Sequence, residues 1–253
     1  MAFLRALGLA ALALSWQLDA AQAQSPAQPA LRCGHFTQGQ LPAPEPREAA
    51  APRKRFEEIN AAVKTQPYRV LFFGDSLTER FETWDAPQVW RQHMVPRGVL
   101  NAGVNGDRTE NLRWRLDHGD LDGPPPQAAV LWIGTNDLGR DRSVEDTAEG
   151  IRANLARLRE RLPAARILLL GLTARGAAPD ARFRAPIREV NNLIRGCADD
   201  ATVLFADIGG VLLDPQGRLT PEISPDRLHF SRLGYEKLVP ELDRLIDRLA
   251  PRR

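Results

Sequence analysis

The stretch Arg69-Val-Leu-Phe-Phe-Gly-Asp-Ser-Leu77 decides the fold. Its apolar residues follow one another without the alternation of a strand that has one face in water. Such a continuous run is typical of a strand buried on both faces of a parallel sheet. Gly74, Asp75 and Ser76 come directly after it, so polar groups stand at the carboxyl end of the predicted strand, where parallel sheets bind their ligands.

Four more apolar runs of this kind occur along the chain, and each is followed by a glycine or an aspartate. They cover residues 99–102, 128–133, 166–170 and 202–206. Apolar residues at helical spacing separate the runs. The predicted helices cover residues 47–65, 143–162 and 184–197, and a last helix is capped by Ser231. Strands that alternate with helices predict an α/β fold, a doubly wound sandwich around a parallel sheet.

Composition and charge are those of an ordinary soluble domain. Hydrophobic residues make up 43% of the 253 residues, and 34 basic against 32 acidic residues leave a formal net charge of +2. Because the two signs are mixed along the chain, neither a nucleic acid nor an anionic membrane is indicated as a partner.

The N-terminus has the pattern of an export signal. A short positive start, an apolar run and Ala21-Gln-Ala23 follow one another, which predicts a signal peptide over residues 1–23 and cleavage after Ala23. The apolar run is too short to span a bilayer. We therefore expect a secreted or periplasmic protein with no stable membrane span after processing. Residues 24–47, rich in Pro, Ala and Gln, predict a linker to a domain over 48–253 that starts with a helix.

Cys33 and Cys197 are the only cysteines. In an oxidising compartment they can pair, but two unconnected thiols fit the sequence equally well, because spacing does not fix geometry. Two cysteines and scattered histidines make no zinc pattern.

Ser76 is a candidate nucleophile, since it follows a buried strand at the start of a predicted helix; a simple helix cap is the alternative. Of the four histidines, His229 has an acid at a useful spacing, because Asp226 can fold back and accept a hydrogen bond from the imidazole Nδ1. A surface Asp–His pair is the alternative for that segment.

An acyl transfer site also needs donors for a developing oxyanion. Gly103 offers a backbone N–H, Asn136 offers a side-chain amide, and Ser76 adds its own N–H at the start of the helix. Each of the first two could instead be a plain turn residue. We expect the serine, the glycine and the asparagine to follow alternate strands of one sheet.

These segments resemble the conserved blocks of the SGNH hydrolases, also called the GDSL esterase and lipase family. The matching segments are Gly74-Asp-Ser-Leu77, the surroundings of Gly103, Gly134-Thr-Asn-Asp137 and Asp226-x-x-His229. Further segments, such as Leu100-Asn-Ala-Gly-Val-Asn-Gly-Asp-Arg-Thr109, are similar to one branch of that family, the catalytic subunits of intracellular platelet-activating-factor acetylhydrolase. The similarity extends over about residues 68–249.

The resemblance implies a flavodoxin-like three-layer α/β/α sandwich with a five-stranded parallel sheet and no metal or cofactor. It assigns Ser76 as nucleophile, His229 as base and Asp226 as the acid that orients the base. Ser76, Gly103 and Asn136 become the oxyanion donors. The residues beside this set have weaker assignments: Leu77, Thr135 and Leu228 line an acyl pocket or pack in the core, while Asp75, Asn105 and Asp107 support the loops.

The resulting hypothesis is a serine esterase that hydrolyses a small acyl ester, with acetyl as the expected acyl group. The export signal leaves a carbohydrate or peptidoglycan O-acetylesterase, or an acetyltransferase, as an alternative. A long-chain lipase and a non-catalytic flavodoxin-like ligand-binding module also stay open. The sequence does not fix the oligomeric state, and a homodimer remains an option.

Overall fold

A computed structural model describes Cys33 and residues 39–251 of the chain. The predicted signal peptide lies outside the described residues, as does most of the predicted linker. Strands and helices alternate through the described part. They are α1 (Ala50–Thr65), β1 (Val70–Gly74), α2 (Ser76–Thr83), α3 (Pro87–His93), β2 (Val99–Gly103), α4 (Thr109–Asp117), β3 (Ala128–Trp132), α5 (Thr135–Gly139), α6 (Val144–Arg161), β4 (Arg166–Leu170), α7 (Arg184–Arg195), β5 (Val203–Ala206) and α8 (Arg232–Leu249).

The five strands form one sheet in the order β2-β1-β3-β4-β5, and every neighbouring pair is parallel. The predicted strands are confirmed to within one residue at each end. The expectation of alternate strands is wrong. Ser76, Gly103 and Asn136 stand at the carboxyl ends of β1, β2 and β3, and these three strands are consecutive in the sheet, with β1 in the middle. Gly74 stands in register with Gly103 on one side and with Trp132 on the other, so three carboxyl ends meet at one edge.

Successive strand residues point to opposite faces, and each face has its own apolar core. Leu71 and Phe73 pack with α1, α4, α6 and α7 on one face. Val70 and Phe72 pack with α2, α3 and α8 on the other. This makes the predicted three-layer sandwich and explains why the strand sequences show no alternation.

Two helix starts agree with the capping residues read from the sequence. The side chain of Ser143 accepts from the N–H of Asp146, and that of Ser231 accepts from the N–H of Gly234. The first helix begins at Ala50 rather than near Arg47, whose side chain turns to a loop after β2 instead. Within the part of the chain that the structure describes, no helix is both long and apolar enough to cross a membrane.

Cys33 and Cys197 form a disulfide across 164 residues of chain. Closing a loop of that length stabilises the folded state by roughly 2–5 kcal/mol, because the unfolded chain loses conformational freedom. Cys197 is buried just beyond α7. The segment before α1 is therefore attached covalently to the domain just beyond the end of α7.

Candidate active site

Ser76 is the first residue of α2 and follows β1 after a single residue. Asp75 caps the helix: its carboxylate accepts from the N–H of Leu77 at 2.9 Å. The N–H of Ser76 itself belongs to the first turn, whose amides have no acceptor within the helix. The side chain of Ser76 is almost fully buried, and its Oγ lies 2.9 Å from Nε2 of His229.

His229 is held from its other side by Asp226, whose Oδ2 lies 2.6 Å from Nδ1. The second carboxylate oxygen accepts from two backbone amides, those of Leu228 at 3.0 Å and His229 at 2.7 Å. Arg227, which directly follows Asp226, has a φ of 65°, a left-handed conformation that lets the chain fold back from Asp226 to His229 over three residues. The sequence-predicted serine, histidine and aspartate are thus connected by hydrogen bonds.

The pKa of the Asp226 carboxyl is lowered from its ordinary value. Partial burial raises it, but the hydrogen bonds from the His229 ring and from the two backbone amides together outweigh that effect. The carboxylate therefore stays ionised beside the imidazole. An ionised neighbour fixes the tautomer that carries its proton on Nδ1 and leaves Nε2 to accept from the serine.

Tyr235 connects the helix that carries Ser76 with the segment that carries His229. The sequence does not predict a role for it. Its hydroxyl, on α8, donates to the carbonyl of Leu77 on α2 at 2.8 Å. Its ring stacks on Phe81 and packs edge-to-face with Phe230, the neighbour of His229. This buried contact sets the distance between the helix that carries Ser76 and the segment that carries His229. As one apolar residue among many on α8, it gives no distinguishing signal in the sequence.

Asn136 lies in the first turn of α5, directly after β3. One hydrogen of its side-chain amide is donated to the carbonyl of Asp107 at 2.9 Å, in the loop after β2. A primary amide has two such hydrogens, so the second remains for a ligand. Gly134, the residue before α5, has a φ of 125°, a conformation that residues with a Cβ rarely adopt.

Gly103 occupies a different position from the one expected of an oxyanion donor. Its N–H already donates to the side-chain oxygen of Asn101 at 2.9 Å, and its carbonyl accepts from Arg55 at 3.2 Å. A Cβ here would come within 2.4 Å of the backbone nitrogen of Glu79 in α2. The absence of a side chain therefore serves the close approach of β2 to α2.

Gly106 lies three residues further on, in the loop after β2. It is the third residue of a turn closed by the Asp107 N–H on the Val104 carbonyl at 3.1 Å, and its φ is 77°. Positive φ at this position is the feature of a type II turn and favours glycine. Within residues 39–251, its N–H meets no acceptor at hydrogen-bond distance. The next residue, Asp107, contacts Asn136, so this turn lies beside the second amide donor.

Two buried ionic networks hold the loop around Gly106. In the first, Arg115 donates to Asp107 at 2.8 Å, to Asp120, and to the carbonyl of Ala102 at 3.1 Å. Both carboxyl groups are completely buried. Burial raises the pKa of Asp107 to about 6 and that of Asp120 to about 7, against the opposing charge of Arg115.

The second network connects α4 to the loop after β3. The buried carboxylate of Asp137 accepts from the hydroxyl of Thr109 at 2.7 Å and from Arg142 at 2.6 Å. Arg142 also pairs with Glu110 at 2.7 and 3.0 Å. The first network binds the turn at Asp107, and the second joins Thr109, two residues further on, to Asp137, so the loops after β2 and β3 are fixed relative to each other.

The more weakly predicted residues fall into two groups. Leu77 is 3% exposed and packs in the core under α2, which favours the packing interpretation over a place in an acyl pocket. Thr135 is buried, with its carbonyl accepting from Arg175 at 3.2 Å, and Leu228 is half-buried beside His229. Asn105 is exposed, and its N–H donates to Glu79 at 2.5 Å. Within the described ranges, no three or more His, Cys, Asp or Glu side chains are grouped as a metal site would need.

Comparison with known proteins gives one family. The model of the GDSL-like Lipase/Acylhydrolase family matches residues 72–237. The human platelet-activating factor acetylhydrolase IB subunit alpha1 is 35% identical over 187 residues, which cover 74% of this chain and 78% of that protein. The alpha2 subunit of Rattus norvegicus is 34% identical over 181 residues, covering 71% and 76%.

Solved structures agree on the fold. A GDSL-like lipase from Bacteroides thetaiotaomicron superposes with a TM-score of 0.62 at 22% identity, over 77% of this chain and 97% of that one. Axe2, an acetylxylan esterase from Geobacillus stearothermophilus, gives a TM-score of 0.55 at 17% identity, over 76% and 97%. At these identities the likeness concerns the fold alone.

The first network predicts a pH dependence of stability. Asp120 keeps a proton up to about pH 7 in the folded chain, whereas its ordinary pKa is 3.8. The stability that the proton gives is therefore present below about pH 4 and is lost as the pH rises through 7. Asp120→Asn removes this titration and keeps an acceptor for Arg115. Its melting temperature should fall less between pH 5 and pH 8 than that of the wild type, as measured by thermal unfolding.

Asp117→Asn is the matched control, since that exposed carboxylate pairs with Arg157 at 2.5 Å on the surface. It should follow the wild-type pH dependence. An unchanged difference between pH 5 and pH 8 in Asp120→Asn would contradict the assignment of the buried proton.

Proposed function

Because the chain belongs to the GDSL-like lipase and acylhydrolase family and is a carboxylic ester hydrolase, we propose that it removes short acyl groups, with acetyl preferred, through an acyl-enzyme on Ser76. The observation that carries the proposal is the continuous set of hydrogen bonds from Ser76 through His229 to Asp226. A nucleophile within reach of a base that is itself oriented by an acid is the arrangement that covalent acyl transfer requires.

The chemistry follows from these contacts. Nε2 of His229 takes the proton of Ser76 while Oγ attacks the ester carbonyl, and the carbonyl oxygen becomes an oxyanion. The C–O bond to the alcohol then breaks, and the alcohol leaves with the proton from His229. Water attacks the acyl group in the second half, gives its proton to the same imidazole, and the acid and the free serine are formed.

Three donors are proposed for the oxyanion: the N–H of Ser76, the second side-chain hydrogen of Asn136, and the N–H of Gly106. Gly106 takes the place predicted for Gly103, since the amide of Gly103 is bound to Asn101, whereas that of Gly106 has no acceptor among the residues that the structure describes. The two ionic networks support this set because they hold the loops that carry Gly106 and Asn136. Donors fixed before the reaction stabilise the developing charge without reorganisation.

The acetyl preference rests on the relatives, whose name gives them as acetylhydrolases of platelet-activating factor. For the alcohol half, the proposed export of the chain favours an ester found outside the cytoplasm, including an acetylated carbohydrate or peptidoglycan. N-terminal sequencing of the mature protein tests the export, with Gln24 as the expected first residue. The family leaves the non-catalytic module without support.

The substrate proposal predicts a strong dependence on acyl length and on Ser76. With p-nitrophenyl esters, kcat/KM should fall steadily from acetyl to octanoyl, and Ser76→Ala should lower kcat by about 10⁴–10⁶. Acid release from acetylated xylan, peptidoglycan and an acetylated glycerolipid, measured in parallel, identifies the alcohol. A rate that rises with acyl length would contradict the short-acyl proposal, and hydrolysis that survives in Ser76→Ala would contradict the mechanism.

The assignment of Gly106 has its own test. A side chain is strained at its φ of 77°, so Gly106→Ala should turn the peptide away from its present direction. Loss of one oxyanion donor lowers kcat by roughly 10²–10³. Gly98→Ala is the matched control, because Gly98 has a φ of 65° at a turn before β2, away from Ser76. It should cost some stability and keep kcat; equal kcat values in the two variants would contradict the assignment.

A further inference from the structure

The segment before the first helix is in close contact with the domain. We call residues 39–47 the N-terminal strap. The N–H of Gln40 donates to Asp146 at 2.6 Å, and the carbonyl of Pro42 accepts from Arg113. Its upstream end follows the disulfide-bonded Cys33. The end of the predicted linker is therefore held against α4 and α6.

The downstream half of the strap contacts the helix that follows the Gly106 turn. The carboxylate of Glu45 pairs with Arg108 at 2.8 Å, and its carbonyl accepts from Asn111 at 3.1 Å. Arg108 and Asn111 belong to the first turn of α4 and its cap. The strap thus closes over the start of α4, two residues beyond the turn itself.

Arg47 connects the strap to the turn. Its guanidinium donates to the carbonyl of Gly106, and it lies close enough to Asp107 to favour that carboxylate electrostatically. A Cβ on Gly106 would be 3.1 Å from both terminal nitrogens of Arg47. The Gly106 carbonyl shares its peptide group with the Asp107 N–H, which closes the turn on Val104. A planar guanidinium on that carbonyl therefore fixes the end of the turn directly after the peptide group that carries the Gly106 N–H.

We propose that Arg47 is a positioning residue for ester hydrolysis, which holds the Gly106 turn in the conformation that leaves the Gly106 N–H unpaired for the oxyanion. This inference rests on the proposed function. Arg47 does not touch the reacting atoms. It acts through the turn, and the disulfide and the Glu45 contacts keep it in place.

The consequence is a selective effect on the transition state. Without the guanidinium, we expect the Gly106 turn to move more freely, so that the Gly106 N–H is less well placed, while the residues around the bound substrate keep their positions. A displacement of about 1 Å at a catalytic group lowers the rate by up to about 10². The KM should change little, because the oxyanion forms only after the substrate has bound.

Arg47→Met and Arg113→Met form a matched pair, since each removes a guanidinium that joins the strap to the rest of the domain and only that of Arg47 contacts Gly106. Measured on p-nitrophenyl acetate with the full chain, Arg47→Met should lower kcat about 10- to 100-fold with KM within about twofold. Arg113→Met should keep kcat within about threefold. Arg47→Lys, whose ammonium can still donate to the carbonyl, should recover part of the lost kcat and keeps the test available if the methionine variant is unstable.

Two results would overturn the inference alone: an unchanged kcat in both Arg47 variants, or an equal loss in Arg113→Met, which would make the strap a general stabiliser. Added methylguanidinium should raise the kcat of Arg47→Met and leave that of Arg113→Met unchanged. A wild-type protein without Ser76-dependent hydrolysis would instead overturn the proposed function, and this inference with it.

Discussion

A hydrogen bond of 2.9 Å between Ser76 and His229 joins two segments that are 153 residues apart in the chain. Neither segment can make it alone, because one follows the first strand and the other precedes the last helix. Both segments must therefore be brought to the same edge of the sheet. The parallel sheet does this for Ser76, since β1 ends at the edge where the other loops meet. The contact of Tyr235 with the backbone of α2 does this for His229, since it fixes α8 against the helix that starts with Ser76.

The amide donors are held by a different kind of interaction. Charged side chains hold the turn around Gly106. Arg115 binds two buried carboxylates beneath it, and Arg142 with Asp137 fixes the neighbouring loop. Buried charges are costly unless they are paired, so these networks favour the loop positions in which the charged groups meet their partners. The same loops carry Gly106 and Asn136, and fixed donors are what oxyanion stabilisation requires.

The sequence predicted most of the fold for a physical reason. Strands buried on both faces leave continuous apolar runs, and five such runs were placed to within one residue. Ser76, His229 and Asp226 could be predicted because their signals are local in the sequence. Ser76 is a polar residue at the end of a buried strand, and Asp226 is an acid three residues before a histidine.

What the sequence could not show depends on contacts between distant segments. The sequence predicts Gly103 as an oxyanion donor, because nothing in the sequence shows that the side chain of Asn101 accepts its N–H. Leu77 lies beside the serine in the chain, but the direction of its side chain follows from the pitch of α2. The strap was interpreted as a linker from its prolines, although its backbone carbonyls and Arg47 bind the domain. Pairing of the cysteines likewise depends on a distance that spacing does not give.

The central claim is that one serine, activated by His229, carries the acyl group. Labelling with a fluorophosphonate followed by peptide mapping in a mass spectrometer tests it most directly. The account predicts a single adduct on Ser76 and a much slower reaction in His229→Gln. An adduct on another residue, or no adduct on folded protein that hydrolyses p-nitrophenyl acetate, would contradict it.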